Sequence, residues 1–195
     1  MKCRHPKKII LLKGNHECHY AIPCFPYEFD GEIIHRFGSS DLHESFVEVF
    51  SLMPLMILCN SVFAAHGGIL KGYTQEALRK ISKNSNIIIK PIVWGDPDIS
   101  LINHGVSECF TNEDLKCFLD GINAKVFIRG HNYTTLGISI FNDKCLTIFS
   151  SSRYKNMGNG GILVAIARNN VSCISNITIM DFSSGEWLDY KSTRI

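Results

Sequence analysis

Three short segments carry side chains able to hold a metal or move a proton, and each follows an apolar run closed by glycine. They are Gly14-Asn15-His16-Glu17 after residues 9–13, His66-Gly67-Gly68 after residues 62–65, and Gly130-His131 after residues 126–129. Asparagine oxygen and imidazole nitrogen suit a hard or borderline divalent cation. Consecutive side chains leaving a strand point to opposite sides, so Asn15 can ligate while His16 stays free as an acid or base. Read alone, Gly14-Asn15-His16 is equally a turn, because asparagine and glycine dominate turns. His66 alone is equally a hydrogen-bonded structural histidine. Arg129, two residues before His131, is either a bidentate phosphate donor or half of a surface ion pair. Three such exits in chain order are more specific than any one. Strand exits gather ligands in α/β folds, and glycine there lets the backbone approach closely. The acidic half that a divalent site wants is not in place beside them.

The elements that must position these residues follow from periodicity. Residues 9–13 read as a buried strand. Apolar positions at helical spacing from Tyr27 to Met53, broken near Gly38-Ser39-Ser40, predict two amphipathic helices, the second capped by Ser40 or Asp41. Asn60-Ser61 between residues 55–59 and 62–65 predicts a β-hairpin. A short helix is expected around residues 75–80, and Pro91 interrupts the apolar runs 87–89 and 92–94. Thr111-Asn112-Glu113-Asp114 opens a further helix stopped by Gly121, and strand 125–128 follows at once. Two hairpins close the chain, 137–141 with 145–149 and 161–167 with 171–179. No repeat, low-complexity tract or linker divides the 195 residues, so a single domain spanning 1–195 is expected.

Composition narrows the function class. An apolar fraction of 45% and a charged fraction of 19% are those of an ordinary globular protein. A net charge of +2, from 20 basic and 18 acidic residues, argues for neither nucleic acid nor an anionic membrane as partner. The eight cysteines form no C-x-x-C pair; Cys59 and Cys145 sit in apolar runs and read as small buried hydrophobes. With no apolar leader and no run of about 20 apolar residues, a reducing intracellular location, cytoplasmic or nuclear, is expected. The first motif stands so near residue 1 that a domain cut at its front is expected.

These motifs resemble, in order, those of the phosphoprotein phosphatase family of serine/threonine phosphatases, which have the calcineurin-like metallophosphoesterase fold. Leu11-Leu12-Lys13-Gly14-Asn15-His16-Glu17 resembles L-L-R-G-N-H-E, and His66-Gly67-Gly68 is similar to H-G-G. Val93-Trp94-Gly95-Asp96-Pro97 resembles L-W-S-D-P, and Gly105-Val106-Ser107 the end of R-G-V-S. Ile128-Arg129-Gly130-His131 resembles R-A-H, and Thr147-Ile148-Phe149-Ser150-Ser151-Ser152-Arg153-Tyr154 is similar to T-I-F-S-A-P-N-Y. The likeness spans roughly residues 5 to 182. It implies an α/β fold with a central β-sandwich flanked by helices, lacking the family's first strands and helices. It also implies hydrolysis of phosphoserine and phosphothreonine in proteins by a two-metal mechanism with manganese, iron or zinc. The implied partners are phosphoprotein substrates and regulatory subunits. Carried over by position, Asn15, His66 and His131 match ligands of the second metal, and His16 the histidine that protonates the leaving oxygen. Arg129, Arg153 and Tyr154 fall beside the phosphate.

The departures are specific. The family's D-x-H and G-D-x-x-D-R motifs stand upstream of G-N-H-E, and nothing before Gly14 here holds them. Asp41-Leu42-His43 has the spelling of D-x-H but belongs to a predicted helix. Gly95-Asp96-Pro97-Asp98 fits W-S-D-P better than G-D-x-x-D. His104 replaces the arginine before G-V-S, Arg153 replaces asparagine, and Glu108 puts an acid near the phosphate region. For these 195 residues alone the expectation is at most one weakly held metal and no appreciable turnover. The alternative function is an inactive pseudophosphatase that binds partners or phosphopeptides.

Overall fold

The computed structural model describes residues 1–82, 85–100, 106, 109–149, 163–168, 171–182, 187–189 and 193–194. Helices α1 (Phe29–Phe37) and α2 (Asp41–Leu52) lead into strands β1 (Met56–Cys59) and β2 (Val62–Ala65). Helices α3 (Gln75–Lys80), α4 (Asn86–Trp94) and α5 (Asn112–Ile122) follow, then β3 (Val126–Arg129), β4 (Ile138–Ile140) and β5 (Cys145–Thr147). The last strands are β6 (Leu163–Ala167), β7 (Ile177–Phe182), β8 (Trp187–Asp189) and β9 (Thr193–Arg194).

A mixed six-stranded sheet in the order β1-β2-β3-β5-β4-β9 forms the centre, and β6-β7-β8 form a second, antiparallel sheet. The strand side chains alternate between two faces. Phe63, Phe127, Cys145 and Ile140 lie side by side in the ladder and pack under α4 and α5. Val62, Val126, Ile128 and Leu146 face the other way, onto Leu163, Ile177 and Ile179 of the second sheet. The expected sandwich with helices outside is therefore present, and its two apolar layers share one row of strands.

Several local expectations hold for stated reasons. Asn60 and Ser61 both adopt positive φ (50° and 64°), which the tight β1–β2 hairpin requires. Thr111 and Asp114 close a capping box at α5, whose Leu115, Phe118, Leu119 and Ile122 are buried. That helix runs one residue past Gly121 and ends at Asn123, in the left-handed conformation. Asp41 and His43 do lie on α2, where His43 Nε2 meets the Tyr27 hydroxyl at 2.9 Å. The Ser40 side chain makes no capping bond; the Asp41 N–H instead donates to Ser39 Oγ.

Four expectations are corrected. Residues 9–13 form no strand. A single ladder-like bond runs from Lys13 N–H to the Pro54 carbonyl, and Ile10 and Leu11 stay half exposed. A strand exists through its hydrogen-bonded neighbour, so an apolar run without a ladder remains irregular. The runs around Pro91 are one helix, α4, because proline at its sixth position removes a single bond that packing of five buried residues replaces. Residues 171–176 are not strand; a 3₁₀ turn at Ile174–Asn176 precedes β7. Cys59 is exposed at the end of β1, whereas Cys145 is buried as expected and its thiol is pushed up to about 12 by burial.

Candidate metal centre

Strands β2 and β3 are parallel neighbours, with Val62 opposite Val126 and Ala64 opposite Ile128. Their carboxyl ends consequently open on one edge, and the residues just beyond them meet. The Gly130 N–H donates to the His66 carbonyl at 2.9 Å, pinning the two exits together. His131 then turns with φ of 68°, a left-handed conformation that costs a non-glycine residue energy and aims its ring back at His66. His131 Nδ1 lies 3.3 Å from His66 Nε2. Asn15 arrives from a separate turn, in which the Gly14 N–H donates to Glu17 Oε2 at 2.7 Å. Its Oδ1 sits 2.9 Å from the same His66 Nε2. Gly14 is required by this approach: a Cβ there would fall 2.8 Å from two atoms of the His66 ring.

Asn15 Oδ1, His66 Nε2 and His131 Nδ1 thus converge. Ligands bound about 2.1 Å from one ion stand about 3.0–3.4 Å apart, so this spacing fits a single divalent cation. The donor set also fits, being one amide oxygen and two imidazoles. Burial holds the His66 imidazole neutral, pushing its pKa down to about 3, with the charges of Arg129 and His16 adding to the effect. A neutral imidazole is the form that ligates. Among the described residues, no three His, Cys, Asp or Glu side chains are placed to hold a metal. The convergence depends on the asparagine.

Beneath the ligands lies Arg129, whose side chain is fully buried in an ion pair with Asp96 at 2.8 Å. Its Nε–H donates to the Gly67 carbonyl at 2.5 Å, and Nη2 donates to the Gly95 carbonyl at 3.0 Å. Nη1 reaches Thr147 Oγ1 at 3.4 Å. This corrects the expectation that Arg129 binds phosphate, because its donors are turned inward and taken. The same region is tight at the backbone: a Cβ on Gly95 would lie 2.4 Å from the Pro91 carbonyl oxygen and 2.8 Å from Gly68 Cα. Both Gly67 and Gly68 N–H groups donate to the Ile92 carbonyl, fixing α4 against the β2 exit.

The fold agrees with comparison to known proteins. Residues 1–134 match the family model of the calcineurin-like phosphoesterases. The chain belongs to that family. Human serine/threonine-protein phosphatase 5 is 32% identical over 171 residues, covering 81% of this chain and 34% of that protein. The serine/threonine-protein phosphatase PP2A-like PPG1 of Candida albicans is 28% identical over 184 residues, covering 87% of this chain and 44% of its own. The phosphatase 4 catalytic subunit of Saccharomyces cerevisiae is 27% identical, with 78% and 53% covered. The phosphoesterase chain thus spans about half or less of the curated relatives it matches. A solved Saccharomyces cerevisiae protein serine/threonine phosphatase, with similarity to human PP5, superposes with a TM-score of 0.75 at 22% identity. That superposition covers 95% of this chain and 63% of the other, and it shows the shared fold.

The remaining candidate site residues fall into two groups. His16 is exposed, unlike buried Asn15 beside it, so the two do diverge, although from a turn rather than a strand. The Cys24 thiol lies 3.8 Å from His16 Nδ1 and 3.5 Å from His19 Nδ1. Tyr154, Arg153, His104 and Glu108 lie outside the described residues. Asp96 and Asn132 escaped the sequence reading as site residues, although Asp96 stands in the W-x-D-P-like segment. Among the described residues no helix is long and apolar enough to cross a membrane.

Proposed function

We propose that this chain is part of the catalytic domain of a metal-dependent serine/threonine protein phosphatase, one domain over residues 1–195. In the complete enzyme it hydrolyses phosphoserine and phosphothreonine in protein substrates, working with regulatory subunits. The observation that carries the reading is the convergence of Asn15, His66 and His131 at 2.9 and 3.3 Å on adjoining strand ends. These three would hold one of two divalent ions. Bound divalent metals lower the pKa of water and neutralise charge on the phosphoryl oxygens. His16 protonates the leaving serine or threonine oxygen, a role open to it because its ring is exposed beside the ligands rather than among them. Arg153 and Tyr154 border the phosphate.

The test is His16→Ala in the longest available form of the protein. Turnover of a phosphopeptide should fall roughly 10²- to 10⁴-fold while Mn²⁺ affinity stays within a few fold. Equal losses of both would remove His16 from the proton-donor role. For residues 1–195 alone, metal analysis should find at most one weakly bound ion and negligible turnover. Two tightly bound ions with rapid turnover would overturn that expectation. A second reading, a phosphopeptide-binding pseudophosphatase, is favoured by one observation: Arg129, the expected phosphate clamp, is locked inside with Asp96. Phosphopeptide binding without turnover by the longest form would establish it.

A further inference from the structure

The buried side chains behind His131 form an ordered path to Arg129. His66 Nε2 lies 2.9 Å from an acceptor, Asn15 Oδ1, and 3.3 Å from His131 Nδ1. Without metal, a proton on His66 Nε2 is accepted by both only if His131 Nδ1 carries a lone pair, and then the His131 proton sits on Nε2; a bound metal would move the His66 proton to Nδ1. That nitrogen faces Asp96 Oδ2 at 3.9 Å, inside the fold, with both side chains almost fully buried. The other carboxylate oxygen, Oδ1, accepts from Arg129 Nη2 at 2.8 Å and from Asn132 Nδ2 at 3.2 Å. Trp94 stacks edge-on against the His131 ring at 5.5 Å and limits its rotation. The left-handed backbone at His131 sets the direction from which the ring enters.

We propose that Asp96 is a positioning residue: held by Arg129 and Asn132, its carboxylate fixes the His131 imidazole with the proton on Nε2 and the Nδ1 lone pair facing Asn15 and His66. The inference rests on reading those three as metal ligands and adds what orients one of them. Carboxylates behind ligating histidines work in this way, choosing the tautomer and the ring angle. Arg129 supplies the compensating charge that lets a carboxylate stay buried there. Its bonds to the Gly67 and Gly95 carbonyls also tie the carboxylate's position to the β2 exit and the end of α4.

Asp96→Asn tests the inference without changing shape. Arg129 and Asn132 both donate, so the new amide keeps its oxygen toward them and turns its NH₂ toward His131 Nε2. Two donors cannot face each other, and His131 should shift its proton to Nδ1. Imidazole ¹⁵N shifts of the metal-free chain, assigned with His131→Gln, should show the Nε2–H form in the wild type and the Nδ1–H form in D96N. Mn²⁺ affinity by calorimetry should fall about 10- to 100-fold, with the circular dichroism spectrum retained. An Nδ1–H tautomer in the wild type overturns the proposal even if D96N does not fold. A folded D96N with wild-type tautomer and affinity overturns it equally. Failure of the wild type to bind Mn²⁺ would count against the metal reading itself, whereas the tautomer, read without metal, judges Asp96 separately.

Discussion

The two sides of the ligand set are built by different means. His66 and His131 leave adjacent strands whose ladder, crossed backbone bonds and buried Arg129–Asp96 pair leave them little freedom. Asn15 and His16 sit on a turn held by the Glu17 carboxylate, a few local backbone bonds and the Lys13 contact with Pro54. Two ligands therefore belong to the strands of the sandwich, and the third ligand with the candidate proton donor belongs to an irregular segment outside the ladder, anchored to the core through Cys18 and Cys24. Local opening costs least where few buried contacts cross. A metal here would close the structure by joining the loose side to the rigid one.

This contrast can be broken by perturbing each side. On the rigid side, Gly95→Ala drives a methyl into the Pro91 carbonyl and Gly68, contacts between backbones that no rotamer relieves. A loss of about 3 kcal/mol is expected, read as a lower urea midpoint together with lost Mn²⁺ binding. An unchanged midpoint would mean that the α4–β2 contact is not rigid. The next effect is pH-dependent and concerns the metal-free chain. His66 is held neutral down to about 3 by burial, against 6.5 for an ordinary histidine. Between those values the unfolded chain binds a proton that the folded chain lacks, so stability falls as pH falls through this window. His66→Gln should flatten that part of the stability–pH curve.

On the loose side, Glu17→Ala removes the acceptor for the Gly14 N–H, a change worth about 1 kcal/mol. Here Mn²⁺ affinity should drop more than the urea midpoint, because the lost bond orders the turn that carries Asn15 and breaks no sheet ladder. Equal changes in both would erase the distinction between the two sides. The smallest effect is a gain. Ser61→Gly relieves positive φ in the β1–β2 hairpin, leaving an Asn-Gly turn, and should stabilise by about 0.5 kcal/mol without altering metal binding.

The same contrast explains what could be read from the chain. The hairpin at Asn60-Ser61, the break between α1 and α2, and the capped start of α5 are local signals, encoded within a few residues. His66 and His131 stood out only in combination with Asn15, because each alone reads equally as a structural residue. Residues 9–13 misled because hydrophobic β-branched residues describe a strand's composition, whereas its existence depends on a neighbour elsewhere. Arg129 misled for a related reason. A long side chain at a strand exit can turn outward to a ligand or inward to a partner. The partner, Asp96, lies 33 residues away, and the Gly67 and Gly95 carbonyls accept from the same guanidinium; no spacing rule reveals these contacts. Asp96 itself was visible as part of a motif but not as a neighbour of His131.

The Arg129–Asp96 pair has one more consequence, for traffic rather than for structure. Its two charges cancel inside the fold, and the three ligands above it are neutral, so none of these five side chains offsets a divalent ion seated among them. Such a site would show its surroundings a net positive charge. Phosphorylated segments would then be drawn in from solution by a field that weakens within about 8 Å at physiological salt. Their capture rate, more than their residence once bound, would rise and fall with ionic strength.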